Sequence, residues 1–293
     1  MDHMHEFEGP IHNISDTARW VAVYRARESK RPDAVFRDPF AEQLAGERGK
    51  QVAAAMPFAE KNSWPFVART WLIDRLISER VQNGADMVVN LAAGLDARPY
   101  RMELPATLQW VEVDLPEILA HKEEILRNEK PVCALERISL DLANAETRRR
   151  LFSRLGQAAK RVLIISEGLL VYLRNEEVAA LAKDLAAQES FQHWIIDLAS
   201  PALLKMLARK MGAPLDQAGI PLRFAPESGP NFFAGYGWTP EEIHPVLHAA
   251  AKINRLPVFL RLLAAISSGR FYARQPWSGV CLLRRQPAKR PND

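Results

Sequence analysis

The sequence predicts an α/β protein with a parallel sheet covered by helices on both faces, a helical N-terminal part and a lid inserted late in the chain. Three observations predict it. Short apolar runs alternate with amphipathic helical patterns through the middle of the chain, the mark of parallel pairing through helical crossovers. The first 85 residues carry helix signals only. The stretch from Ser200 to Gly237 breaks the alternation with Pro201, Pro214, Pro221, Pro226 and Pro230, and with Phe224, Phe232, Phe233 and Tyr236. The organisation expected is a helical cap over 1–85 and a core over 86–293 with a lid at about 200–237, together one compact unit.

In order, Asp16 can cap a first helix carrying Trp20, Val23, Tyr24 and Arg27. Asp38-Pro39 supplies a second N-cap and a proline in the first turn, and Gly46 and Gly49 end that helix. A third runs from about Trp64 to Gln82, stopped by Asn83-Gly84. Strands follow at Met87–Leu91, Leu108–Val113, Ala134–Ile138, Val162–Ile165 and Trp194–Ile196, with helices at Pro116–Asn128 and Glu176–Ala187. Thr239-Pro240-Glu241-Glu242 has the form of a capping box opening another helix, and Val280–Leu283 is the last strand. Gln286 to Asp293 reads as a frayed tail.

Composition narrows the function. The 293 residues are 48% apolar and 25% charged, with a net charge of +4. The cations are dispersed, and Arg148-Arg149-Arg150 reads as a solvated helix face, so no nucleic-acid partner is expected. Cys133 and Cys281 lie in apolar runs and read as small core residues in a reducing compartment. The strongest candidate for a membrane span, Leu256 to Ile266, is short and interrupted by Arg261. The N-terminal residues lack a signal peptide's apolar region. No membrane partner and a cytoplasmic location are therefore expected.

In an open parallel sheet, ligands bind beyond the C-terminal strand ends. The first strand ends in Asn90-Leu91-Ala92-Ala93-Gly94-Leu95-Asp96. Small residues let a ligand approach the backbone, and Gly94 can take a positive φ. This is not the glycine-rich fingerprint that seats a pyrophosphate. Asp114 follows the second strand, 20 residues after Gly94. It can accept both hydroxyls of a ribose, or it can cap the helix that begins at Leu115-Pro116. Asp141 and Leu142 follow the third strand, where they can meet an adenine or form a surface turn. Glu167-Gly168 follows the fourth; a carboxylate there needs a cationic partner, an ammonium being one candidate. Arg69 shares a helix stripe with Phe66, Ile73 and Leu76. It can hold a ligand carboxylate, or pair internally with Asp96 or Glu167. His244 and His248 stand four apart without a third ligand, so no metal is expected.

Taken together, Asp38-Pro39-Phe40-Ala41, Val67-Ala68-Arg69, Asn90 to Arg98, Glu112-Val113-Asp114 and Ser166-Glu167-Gly168-Leu169-Leu170-Val171-Tyr172 resemble the leucine carboxyl methyltransferase family. The likeness is closest to its bacterial branch of S-adenosylmethionine-dependent O-methyltransferases and runs from about Asp16 to Arg285. It implies a Rossmann-like class I methyltransferase sheet with an N-terminal helical extension, and S-adenosylmethionine as cofactor. By position it implies that Arg69, assisted by Arg19, holds the methionine carboxylate. Ala92 and Gly94 would lie under the cofactor, and Asp114 with Leu115 at the ribose. Asp141 and Leu142 would meet the adenine. Glu167 and Gly168 would face the methionine amino end, with Tyr172 near methyl transfer. The family's Gly-Ala-Gly loop reads Ala92-Ala93-Gly94, which fits if Ala92 keeps a negative φ. Its usual threonine after the loop acid is Ala97.

The function expected is in-line O-methylation of a small molecule, apolar or aromatic, most simply a carboxylate, which is ionised at neutral pH and needs neither base nor metal. Methylation of a phenol or alcohol, which would need a base, is the alternative. A nicotinamide-dependent oxidoreductase and a catalytically degenerate cofactor-binding protein are the readings from other classes. Oligomeric state is left open.

Overall fold

In a computed structural model, residues 11, 14–55, 63–267, 270–271 and 273–287 are described. Seven strands form one sheet in the order β3-β2-β1-β4-β5-β7-β6. They are β1 Met87–Leu91, β2 Gln109–Asp114, β3 Ala134–Ser139, β4 Val162–Ser166, β5 Phe191–Ala199, β6 Trp238–Pro245 and β7 Ser278–Arg285. The first five are parallel, and β7 runs antiparallel to both β5 and β6. β1 and β4 are neighbours, so the strand order reverses between them and their C-terminal ends open a crevice. The central strands β1 and β4 are buried at every position, as expected of strands covered on both faces.

Side chains alternate across β1 and β4, and this splits the core in two. Val89, Leu91, Ile164 and Trp194 face one layer with Phe152, Leu181 and Phe233. Val88, Leu163, Ile165 and Ile195 face the other with Leu72, Ile73, Leu76 and Ala250. The first layer is covered by α6 (Ala145–Ala158), α7 (Asn175–Ala186) and the 3-10 helix Gly229–Tyr236. The second is covered by α3 (Trp64–Gln82) and α9 (Val246–Lys252). A third cluster holds α1 (Ile14–Ser29), α2 (Ala41–Ala55) and α5 (Pro116–Leu126) together through Trp20, Tyr24, Leu44 and Ile118. In it Trp20 and Tyr24 pack their rings on Phe66 of α3, with centroids 5.2 and 5.1 Å away. α4 (Arg98–Arg101), α8 (Pro201–Gln217) and α10 (Val258–Ile266) complete the α-helices of the described residues.

The structure corrects four expectations. Asp16 does not cap α1. It lies inside the first turn, buried, and accepts from Arg48 at 3.1 and 2.7 Å. Gly46 ends the first helical piece of α2 as expected, but Gly49 ends nothing, because a second piece follows. Gly46 kinks it at φ 60°, ψ −170°, and the helix resumes to Ala55. Thr239-Pro240-Glu241-Glu242 is not a helix start but part of β6, because Trp238–Pro245 finds a pairing partner in β7. Pro240 is tolerated there because β6 is an edge strand whose register shifts at that residue. Gln286 is not frayed: its amide donates to Gly237 O at 2.8 Å. Residues 288–293 lie outside the described residues.

Cys133 and Cys281 are buried and unbonded to each other, as expected of core thiols. His244 sits on β6 and His248 on α9, and among the described residues no group of three candidate ligands could hold a metal. No helix of the described residues is long and apolar enough to cross a membrane.

Candidate active site

A cavity of about 670 Å³ opens at the C-terminal ends of β1, β2, β4 and β5, across the point where the strand order reverses. Its walls come from the strand ends and from α1, α3 and α8.

The turn after β1 is built by two left-handed residues, Ala92 at φ 53° and Gly94 at φ 49°. The condition set by the resemblance, a negative φ at Ala92, is thus not met. The turn doubles back so that Ala93 N donates to Val113 O at 3.3 Å and Gly94 N donates to Asp114 Oδ2 at 2.6 Å. Asp114 Oδ1 also accepts from Leu115 N at 2.8 Å. Burial raises the Asp114 pKa against the opposing effect of these two amides. A Cβ on Gly94 would stand 3.3 Å from the Ala18 methyl, so only a residue without a side chain leaves this edge of the cavity open.

At the far end of the cavity lies a network of charges. Arg69, from α3, donates to Glu167 Oε1 at 3.0 Å and to Asp197 Oδ2 at 2.9 Å, and its guanidinium lies over the Phe66 ring at 5.5 Å. Arg98, 2% exposed, reaches Asp74 at 2.6 Å, Asp96 at 2.7 Å and Glu167 at 2.9 Å. Burial alone would push Glu167 and Asp96 upward. The guanidinium charges outweigh it, with Arg98 and Arg69 lowering Glu167, and Arg98 foremost in lowering Asp96. Asp197 Oδ1 accepts from Gly168 N at 2.7 Å and so pins the turn after β4. Gly168 takes φ 68°, with the Arg69 guanidinium 3.8 Å from where a Cβ would stand. Tyr172 follows in the 3-10 helix Leu170–Tyr172. Burial raises its pKa, opposed by a hydrogen bond to Thr17 of α1, so it is a neutral phenol near pH 7.

Arg69, Ala92, Gly94, Asp114, Leu115, Glu167, Gly168 and Tyr172 therefore line one cavity. Arg19, Asp141 and Leu142 are not among its lining residues. Arg19 lies on the α2 side of α1, with Nη1 4.0 Å from where a Gly46 Cβ would stand, and its charge bears on His121. Asp141 is exposed after the edge strand β3 and accepts from Ala143 N at 2.9 Å, turning its own loop. Leu142 packs against the core and its carbonyl accepts from Arg148 at 2.7 Å. The internal pairing of Arg69 with Glu167 holds, and the partners of Glu167 are two arginines.

Sequence reasoning missed Asp197 and Arg98. Asp197 is the only acid in β5. The rule of reading the residue at each strand end would have found it had the fifth strand been extended past Ile196. Arg98 was visible only as the end of a motif, because its three carboxylates come from α3, the β1 turn and the β4 turn.

Residues 18–186 match a family model described as leucine carboxyl methyltransferase. The chain is 32% identical over 232 residues to the "Putative S-adenosyl-L-methionine-dependent methyltransferase SCO7813" of Streptomyces coelicolor, covering 76% of this chain and 82% of that relative. It is 30% identical over 249 residues to a similarly described protein of Streptomyces avermitilis, covering 82% and 87%. Among solved structures it resembles a DUF574 family protein from Streptomyces avermitilis, with a TM-score of 0.57, 12% identity, and coverage of 92% of this chain and 97% of that one. It also resembles a "putative methyltransferase" from Thermobifida fusca, with a TM-score of 0.56, 12% identity, and coverage of 95% and 96%.

Proposed function

This chain belongs to the leucine carboxyl methyltransferase family and is an S-adenosylmethionine-dependent methyltransferase; from that premise we propose that its acceptor is the carboxylate of a small, largely apolar molecule, which it converts to a methyl ester. One observation carries this reading: every carboxylate in the cavity is already engaged. Glu167 and Asp96 are held by arginines, Asp197 by Arg69 and the Gly168 amide, and Asp114 by two backbone amides. Among the described residues no histidine lines the cavity, and Tyr172 is a buried phenol with a raised pKa. A phenol or alcohol acceptor would need a base within hydrogen-bond reach. A carboxylate acceptor is ionised at neutral pH without one.

The cavity suits the cofactor. It joins an acid at the β2 end, a side-chain-free edge at Gly94 and a charged cluster at the β4 and β5 ends. In this reading Asp114 holds the ribose hydroxyls, with Leu115 beside it. Ala92 and Gly94 let the backbone come close. Arg69 meets the methionine carboxylate, and Glu167 with Gly168 the amino end. S-adenosylmethionine supplies, when bound, a methyl group on a sulfonium, the electrophile of an in-line displacement. The chain's part is to align the acceptor and exclude water, effects worth several kcal/mol. Trp20, Phe66, Leu203 and Phe224, all lining the cavity, form apolar walls for that purpose. In the same reading Tyr172, hydrogen-bonded to Thr17, orients the acceptor.

The test is incubation with methyl-labelled S-adenosylmethionine and a panel of aromatic and aliphatic carboxylic acids and matched phenols. Methyl esters release labelled methanol in base, and methyl ethers do not. Base-stable label on phenols, with none on acids, would overturn the carboxylate assignment.

A further inference from the structure

α10 is turned inside out. Leu260 and Ala264 face the core, while Val258, Phe259, Leu262, Leu263 and Ile266 are exposed at 79, 76, 70, 48 and 74%. At 3.6 residues per turn these five side chains form one continuous apolar arc. Contiguous exposed apolar surface of this kind marks an interaction site. Its position is specific. Leu260 of α10 and Leu203, Met206 and Leu207 of α8 line the same cavity, and Met206 is also 37% exposed to solvent. The arc therefore stands on the outer face of a helix whose inner face lines the cavity.

Within two segments of the chain the charges have one sign. Residues 199–215, which hold most of α8, and residues 246–285, which hold α10, contain no aspartate or glutamate. Lys205, Arg209, Arg261 and Arg274 are exposed in these two segments, which a backbone hydrogen bond from Ala202 N to Ala273 O ties together at 3.1 Å.

We propose that α10, flanked by these cations, docks the protein on the surface of an anionic lipid bilayer. An interfacial helix sinks its apolar face into the headgroup boundary and keeps its cations at the surface, and anionic lipid strengthens the binding. This needs no membrane span. The sequence excluded a span over this same segment and from that expected no membrane partner, an expectation this proposal replaces. A second copy of the chain is a poorer occupant: a two-fold contact through α10 would bring the exposed Arg261 and its neighbouring cations toward their own copies.

The experiment is co-sedimentation of the full chain with vesicles of phosphatidylcholine alone and with vesicles containing one quarter phosphatidylglycerol. The wild type partitions onto the anionic vesicles, and the binding falls as salt rises from about 0.1 to about 0.5 M. The double variant Phe259→Ser, Leu262→Ser loses roughly tenfold or more of that binding, and Arg261→Glu loses several-fold. The variants' melting temperatures and their shifts with S-adenosylhomocysteine report that fold and cofactor site are intact; both residues point away from the core, so these stay at wild-type values. Wild type that fails to bind anionic vesicles overturns the proposal, as does a double variant that binds them undiminished. So does a wild-type dimer that the double variant dissociates while neither form binds vesicles. Because the readout is partitioning, its outcome is independent of which acceptor the enzyme methylates.

Discussion

Ala92 carries a left-handed backbone, φ 53°, in a turn where the related pattern has glycine. The crowding of Cβ against the carbonyl costs an L-residue about 1–2 kcal/mol there, and glycine gives back part of the gain through its looser unfolded chain. Ala92→Gly is therefore expected to stabilise the protein by about 1 kcal/mol, raising Tm by about 2–4 °C in thermal unfolding. Arg69 is the opposite case. Its loss leaves Asp197 with the Gly168 amide alone among the described residues, while Glu167 keeps Arg98. Arg69→Ala should cost about 3 kcal/mol and abolish the thermal shift given by S-adenosylhomocysteine. Arg69→Lys should not restore that shift, since one ammonium cannot present the guanidinium's planar fork to two carboxylates. A restored shift with lysine would show that charge alone suffices.

At the scale of elements, α2 depends on one residue. Gly46 occupies φ 60°, ψ −170°, a region essentially closed to other residues. It lets the helix bend while both halves keep Leu44 and Val52 in the N-terminal cluster. Gly46→Ala should destabilise by about 1–3 kcal/mol, read as a lowered denaturation midpoint. Gly49→Ala tests the same helix without the kink; there the new methyl meets Arg19 and Ala45 at 3.0–3.3 Å, so its cost is crowding, not backbone strain. Elements were the most legible level of the sequence. β1 is found to the residue, and β2, β3 and β4 to within one; β1 and β4 are legible because buried central strands read as apolar runs bounded by turn residues. β6 was not legible. An edge strand with two prolines and a Thr-Pro-Glu-Glu start satisfies local helix rules, and only its pairing with β7 decides otherwise.

For the whole molecule, acidity is the general probe. Burial lowers the pKa values of His121 and His193 in the folded state. The unfolded chain then binds more protons below its own histidine pKa of about 6.5. Stability thus rises with pH through the window between the folded values and about 6.5. Glu167 and Asp96 are lowered by their arginines, so their contribution is complete above about pH 4 and is lost as pH falls through the folded values. Asp114, raised by burial, pulls the other way and only partly offsets them. Tm should accordingly be flat between about pH 7 and about pH 8, decline modestly toward pH 5 and fall steeply below pH 4; above about pH 8.5 it should decline again, because burial raises the Cys133 and Cys281 thiols and only the unfolded chain ionises them there. Paired His121→Gln and His193→Gln substitutions should flatten the first decline and leave the second; a first decline that survives them would assign it to other groups.

The sequence by itself determined the class of fold, the positions of the central strands and the acids and glycines at their ends. Those features are written locally, as runs of apolar residues and as turn residues that must follow them. Eight of the eleven residues it singled out for the cofactor and acceptor site meet in one cavity. Tertiary structure alone decided which charges meet. Arg98 gathers carboxylates from three segments, and Asp197 reaches Arg69 across 128 positions of chain. It also decided that Arg19 turns away from the cavity and that α10 shows its apolar face to the outside. A side chain's partner depends on strand order and helix docking. Those are set by burying apolar surface over the whole molecule, and no window along the chain contains them.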